Sequence, residues 1–377
     1  MGLYRLLLAI AVVFTHSSPI LGIKMVGGLN AVQCFYIISG FYMSMVLNEK
    51  YTGTGKDTYK LFITNRLLRL YPIYWAVLGI VILTSFIAFK NHHGFYAGLL
   101  DPYYKYFIRG NMSWWTWGVL TFSNFGLIGQ DWLMFTGYHQ TDGILMLSHN
   151  YKLFDPPINK FLMIPQAWTL GVEITFYLMA PFIVRRPLKS VSWLLGFTIV
   201  LRILAYKFDL NYDPWSYRFF PLELMYFLLG NVSYRLYQKI KERAIPRYVY
   251  QAILVVVIAG TLIYQEAPVS WYYPLKYTYT ALLVLAIPFL FEYTKNNKVD
   301  RWIGELSYPL YICHMLFVSA WTVKLFPDLG GHGVTVTAYS LLMAILLNQW
   351  VAEPVEKIRQ RRAATLKKGA VAAIPSS

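Results

Sequence analysis

Apolar stretches of seventeen residues or more recur along the whole chain, separated by short segments in which basic residues collect. Runs of that length are what a helix needs to cross a bilayer core of about 30 Å, at about 1.5 Å per residue. Ten spans can be drawn: residues 3–23, 29–48, 70–90, 166–184, 190–207, 217–236, 248–265, 276–292, 302–324 and 335–352. The pattern predicts an all-α integral membrane protein, a bundle of about ten transmembrane helices.

One further apolar stretch, Trp114 to Gly129 (WWTWGVLTFSNFGLIG), breaks the alternation. Counted as a crossing, it would place Arg185, Arg186, Lys239 and Lys241 outside, so the charge pattern makes it re-entrant or interfacial. It lies in a long extracytoplasmic loop, 91–165, rich in Tyr, Trp, Gly and Asn, whose aromatic content argues against disorder. No internal repeat and no low-complexity linker interrupts the chain. It reads as one membrane domain, 1–355, followed by a basic cytoplasmic tail, 356–377.

Composition agrees. Of 377 residues 57% are hydrophobic and only 14% charged, well below the roughly 25% of a soluble protein. A net charge of +16 could suggest nucleic-acid binding, but its distribution excludes that reading. With Arg5, the inner segments hold 23 of the 34 basic residues and the outer segments six, a bias that puts both termini in the cytoplasm of a multi-pass plasma (inner) membrane protein. Cys34 and Cys313 each sit in an apolar run, where small core residues are expected, with neither a disulfide framework nor metal-ligand spacing. The first twenty residues lack a basic n-region and an A-x-A-like cleavage site, so they read as the first membrane helix and not as a signal peptide.

Against this background the buried polar residues stand out. Arg5 and His16 are eleven positions apart, three helical turns plus about 20°, so they share a face about 16 Å apart along the axis. Charged and titratable groups are expensive in a bilayer core and mark function there. A neutral imidazole can take a proton from a hydroxyl as that hydroxyl attacks a carbonyl. A structural alternative is a snorkelling arginine and a histidine satisfied inside the bundle.

Arg66 and Arg69, three apart in RLLRLYP, share a face just before Pro72, where a new helix can begin. Their forks suit phosphate, although a plain positive-inside anchor would look the same. Glu173 and Tyr177, four apart, share a face in the span that opens at Gln166, and His16 is the candidate partner for the buried carboxylate. Glu223 reads as a structural hydrogen-bond anchor. Ser39-Gly40-Phe41 reads first as helix packing, as do Ser307 and His314, seven apart in LSYPLYICH. His92, His93, His139 and His149 lie in the outer loop without ligand spacing, so no metal site is assigned.

Taken in order, these motifs resemble the acyltransferase-3 family of integral membrane acyltransferases. The resemblance rests on Arg5-x10-His16, FYIISGFYMSMV (35–46), RLLRLYPIYW (66–75), AWTLGVEITFYLMAP (167–181), LSYPLYICH (306–314) and Glu353-Pro354. It implies transfer of an acyl group, commonly acetyl from acetyl-CoA, to a sugar hydroxyl of an exopolysaccharide, lipopolysaccharide or related glycan. It implies His16 as the central catalytic residue with Arg5 as its motif partner, and Arg66 and Arg69 on the coenzyme A phosphates. Glu173 joins His16 as a catalytic candidate, while Ser39, Tyr177 and His314 are expected to support substrate or structure. No bound cofactor is expected, acyl-CoA being a co-substrate. Some relatives carry a C-terminal hydrolase-like domain outside the membrane; a chain with a basic tail here is expected to work without one in cis.

Direct attack by a deprotonated hydroxyl and an acyl-histidine intermediate both stay open, as do acetyl, succinyl and longer chains. A transporter or flippase for a glycan or anion would use the same buried charges, and a receptor or scaffold is a third reading.

Overall fold

The computed structural model describes residues 1–53, 55–91, 100–108, 110–266, 269–322 and 324–372. Each expected span falls on a helix. They are α1 (Gly2–His16), α2 (Gly28–Glu49), α3 (Lys56–Asn91), α5 (Trp168–Ile183), α6 (Leu188–Lys207), α7 (Phe220–Ile240), α8 (Arg247–Ile263), α9 (Tyr272–Thr294), α11 (Ser307–Thr322) and α12 (His332–Leu347), with α4 (Trp114–Gly126) in the outer loop and α10 (Lys298–Glu305) before α11. Among the described residues, five helical stretches are long and apolar enough to cross a membrane: 28–49, 56–87, 188–207, 272–294 and 332–363. On α6 the residues Trp193, Phe197, Val200 and Ile203 all face outward, an apolar surface suited to lipid.

α2 and α7 make the most intimate helix pair. A Cβ on Gly40 would lie 2.0 Å from the Phe227 carbonyl oxygen, and one on Gly230 would lie 2.1 Å from that of Ile37. Without water to drive association, close backbone approach through small residues is what holds such helices together. Glu223 on α7 behaves as the expected anchor. It is fully buried, ion-paired to Arg202 on α6 at 2.7 Å and bonded by Gln33 of α2 at 3.1 Å.

Two helix boundaries differ from expectation. The first span was drawn to residue 23, but α1 stops at His16. Pro19 cannot continue the helix, and Leu21 (φ 53°) and Gly22 (φ 77°) turn the chain back. Pro72 does not open a helix; it lies inside the 36-residue α3. Beside it the Tyr308 hydroxyl of α11 ties the two helices together, donating to the Leu70 carbonyl at 2.7 Å.

The outer loop is folded. α4, at 13 residues, is about 20 Å long and too short to cross. Its Trp114 and Trp115 are more than 70% exposed, as an interfacial helix requires. Buried Asn124 holds the loop together: its amide donates to Tyr103 Oη and the Phe161 carbonyl, and its oxygen accepts from Met163 N–H. A small antiparallel hairpin, β1 (Thr136–His139) with β2 (Ile144–Leu147), departs from the all-α expectation. His139 pairs with Asp142 at 2.9 Å, and no group of three potential metal ligands forms among the described residues. His92 and His93 lie outside the described residues.

The basic tail begins as α13 (Glu353–Ala372), joined to α12 by a π-helical turn, Asn348–Ala352. It packs on α3: buried Arg359 donates to the Asn65 carbonyl at 2.8 Å, and Arg362 to Thr64 Oγ1 at 3.0 Å.

Candidate active site

α1, α2, α3, α5 and α11 enclose a cavity of about 790 Å³, counted with its opening to solvent. Arg5 comes to it from α1, Ser39 and Tyr42 from α2, Arg66 and Arg69 from α3, Thr169, Glu173 and Tyr177 from α5, and Ser307, Tyr308 and Tyr311 from α11. The two arginine motifs, more than sixty residues apart in sequence, therefore converge on one space.

None of Arg5, Arg66 and Arg69 makes an ion pair among the described residues, although Arg66 is buried. Elsewhere buried Arg218 and Arg359 and half-buried Arg202 pair with Asp213, Glu356 and Glu223, while half-buried Arg185 and Arg235 spend their donors on carbonyl oxygens. Three unpaired guanidinium groups around a cavity repel one another and keep their donors unspent, which suits an anionic ligand carrying several charges.

Glu173 faces the same cavity with its carboxylate fixed. Oε1 accepts from Ser39 Oγ at 2.8 Å and also from the Tyr177 hydroxyl. The shared face of Glu173 and Tyr177 is thus realised as a direct bond. The expected partnership of Glu173 with His16 is not made: no hydrogen bond or ion pair joins them among the described residues. The reason is the short α1, which leaves His16 at its last residue while Glu173 turns toward the arginine cavity.

His16 does not line that cavity. It is exposed, and its ring lies 5.3 Å from the ring of His314, tilted by 36°. The link between the two regions is the face of α11 formed by Ser307, Tyr311 and His314, spaced as successive turns. Ser307 and Tyr311 line the cavity, and the Tyr311 and His314 rings are 6.0 Å apart. Tyr311 Oη is held by Thr169 Oγ1 at 3.0 Å and donates to the Gln166 carbonyl at 3.1 Å. Of the candidates read from the sequence the fold therefore gathers Arg5, Arg66, Arg69, Ser39, Glu173 and Tyr177, and sets His16 and His314 beyond Tyr311.

Several lining residues carried no functional reading in the sequence: Tyr42, Thr169, Tyr308 and Tyr311. Tyr308 and Tyr311 could have been found from the Ser307–His314 stripe, since both fall within its turns. Arg218 was also passed over. Its guanidinium is buried, bidentate to Asp213 and 4.3 Å from the Trp168 ring, a closed ion-pair anchor for the start of α5.

A family model for the acyltransferase domain of the acyltransferase-3 family matches residues 2–349. The chain belongs to that family, and with it to the membrane acyltransferases that move groups other than aminoacyl. An uncharacterised protein of Aquifex aeolicus (strain VF5) is 25% identical over 207 residues, 52% of this chain and 89% of the relative. Proteins of Staphylococcus aureus strains COL and N315, provisionally named O-acetyltransferases, are each 23% identical over 324 residues, 78% of this chain. The chain spans about half the length of these staphylococcal relatives, 46%. No solved structure matches.

Proposed function

We propose that this chain moves an acyl group, acetyl in the first instance, from acyl-CoA in the cytoplasm to a hydroxyl of a carbohydrate outside the membrane or linked to lipid. The observation that carries the reading is the cavity where Arg5, Arg66 and Arg69 converge unpaired. Coenzyme A presents phosphate groups, and arginine forks bind phosphate bidentately. The names of the staphylococcal relatives favour acetyl as the group and oxygen as the acceptor. A glycan acceptor accords with the folded, aromatic outer region that neighbours α5.

In this reading both termini face the cytoplasm of the cell's plasma membrane and the chain crosses it ten times, the first crossing completed by the segment that follows the short α1. The phosphates rest on the three arginines and the pantetheine arm runs along the Ser307–Tyr311–His314 face toward His16. His16, exposed at the end of α1, takes the proton of the acceptor hydroxyl. Glu173, fixed by Ser39 and Tyr177, offsets part of the arginine charge when the phosphates are absent.

The test is binding of coenzyme A to the purified full chain in detergent, by calorimetry. Submillimolar binding that is lost in an Arg66→Gln, Arg69→Gln double variant supports the reading. Equal binding by both proteins removes its main support.

A further inference from the structure

We propose that His314 is a positioning residue for His16, accepting an N–H from it and so fixing which His16 nitrogen acts as base. The inference rests on the proposed acyl transfer and assigns it a second histidine.

Four observations carry it. His314 is fully buried, at 0% exposure. Its Nδ1 lies 2.7 Å from the Tyr311 carbonyl, which can only accept, so Nδ1 carries the proton and Nε2 a bare lone pair. That Nε2 has no hydrogen-bond partner and is closed to solvent. A buried acceptor left empty is costly, of order 1–3 kcal/mol, so a partner is expected.

Because Nε2 is closed to solvent, a neighbouring side chain is the natural partner, and the His16 ring lies 5.3 Å from the His314 ring, centroid to centroid. Two imidazoles joined end to end by an N–H···N bond of about 2.9 Å have centroids about 5 Å apart, a separation these two rings already have. His16 is thus at bonding distance and needs a change of ring orientation, not of place. The Tyr311 carbonyl that fixes His314 belongs to the residue lining the cavity, so the pair is tied to the donor side.

With one His16 nitrogen donating to His314, the other is free for the acceptor hydroxyl. That nitrogen takes the hydroxyl proton as the new C–O bond forms. The thioester C–S bond then breaks, and the proton passes from His16 to the coenzyme A sulfur, giving ester and free thiol. No other reactant is required.

Two amide variants separate this role from a structural one. His314→Gln places an oxygen near the Nε2 position, while His314→Asn keeps a donor near Nδ1 but offers nothing at Nε2. Purified full-length variants are assayed with acetyl-CoA and envelope glycan from cells lacking the protein, reading thiol release and glycan ester mass. The expected result is a kcat about 10–100-fold lower for His314→Asn, with the KM for acetyl-CoA within about twofold, and a kcat for His314→Gln within about threefold of wild type. An Asn variant as active as wild type, or Asn and Gln variants equally impaired, overturns the inference. A wild-type chain that transfers nothing from acetyl-CoA, while still binding coenzyme A, strikes at the proposed function instead.

Discussion

Ser39 of α2 and Glu173 of α5 are joined by a 2.8 Å hydrogen bond across the helix interface that walls the arginine cavity. Tyr177 donates to the same carboxylate oxygen. One acidic group is thereby fixed among three unpaired arginines, so its removal is expected to disturb ligand binding more than folding. Glu173→Gln should lower kcat/KM for acetyl-CoA by at least about 10-fold, and Ser39→Ala by about 10–100-fold, the range of a hydrogen bond to a charged acceptor. Steady-state kinetics on the purified variants check both.

The arginines are expected to divide the phosphates of coenzyme A among them. Replacing Arg69 by Gln should weaken coenzyme A binding about 10–100-fold, since a charge-assisted hydrogen bond contributes about 1.5–3 kcal/mol. Dephospho-coenzyme A, lacking the 3′-phosphate, gives a control. If Arg69 holds that phosphate, the variant and wild type should bind the truncated ligand equally, by calorimetry.

The α2–α7 contact depends on two glycines. Any side chain at Gly230 meets the Ile37 carbonyl at 2.1 Å, against rigid helix backbone that cannot yield. Gly230→Val is expected to destabilise the bundle by at least about 3 kcal/mol, seen as loss of monodisperse protein on size exclusion. A surface glycine such as Gly196, with open space around it, should tolerate the same change.

Asp131, in the outer region, gives a pH dependence of stability. Burial pushes its carboxyl up to about 7, against the opposing pull of its own and Trp132's backbone N–H groups. One oxygen, Oδ1, is buried without a partner and lies where a Cβ on Gly171 would be 2.7 Å away. The folded state therefore binds a proton that the unfolded chain has released above about pH 4. Its contribution is present below that pH and is lost as the pH rises through about 7. Thermal unfolding should show stability falling between pH 4 and 7, with a flatter profile in Asp131→Asn.

Much of this was legible in the sequence because membrane helices are specified locally. Apolar length placed a helix at every expected span, and the i, i+4 spacing of Glu173 and Tyr177 gave a bond that the fold realises. The charge pattern also kept 114–129 from being a crossing, and α4 is too short for one. What the sequence could not give was the packing between helices. Arg5 and His16 share a face, yet Arg5 turns into the cavity while His16 meets His314, because α1 ends where Pro19 and the left-handed Leu21 stop it. Glu173 finds Ser39 on α2, which no spacing within α5 could foretell. Tyr311 lies on the Ser307–His314 stripe, but its bonds to Thr169 and the Gln166 carbonyl needed α11 packed against α5.

The most direct measurement is the mass of ester groups on the surface and secreted glycans of cells with this protein, without it, or carrying His16→Ala. An ester mass present with the wild-type protein and missing in the other two is the predicted result, and its size identifies the acyl group. Unchanged esterification in the His16→Ala cells would contradict the account. A shift in where glycan or solute is found, with esterification intact, would point to transport.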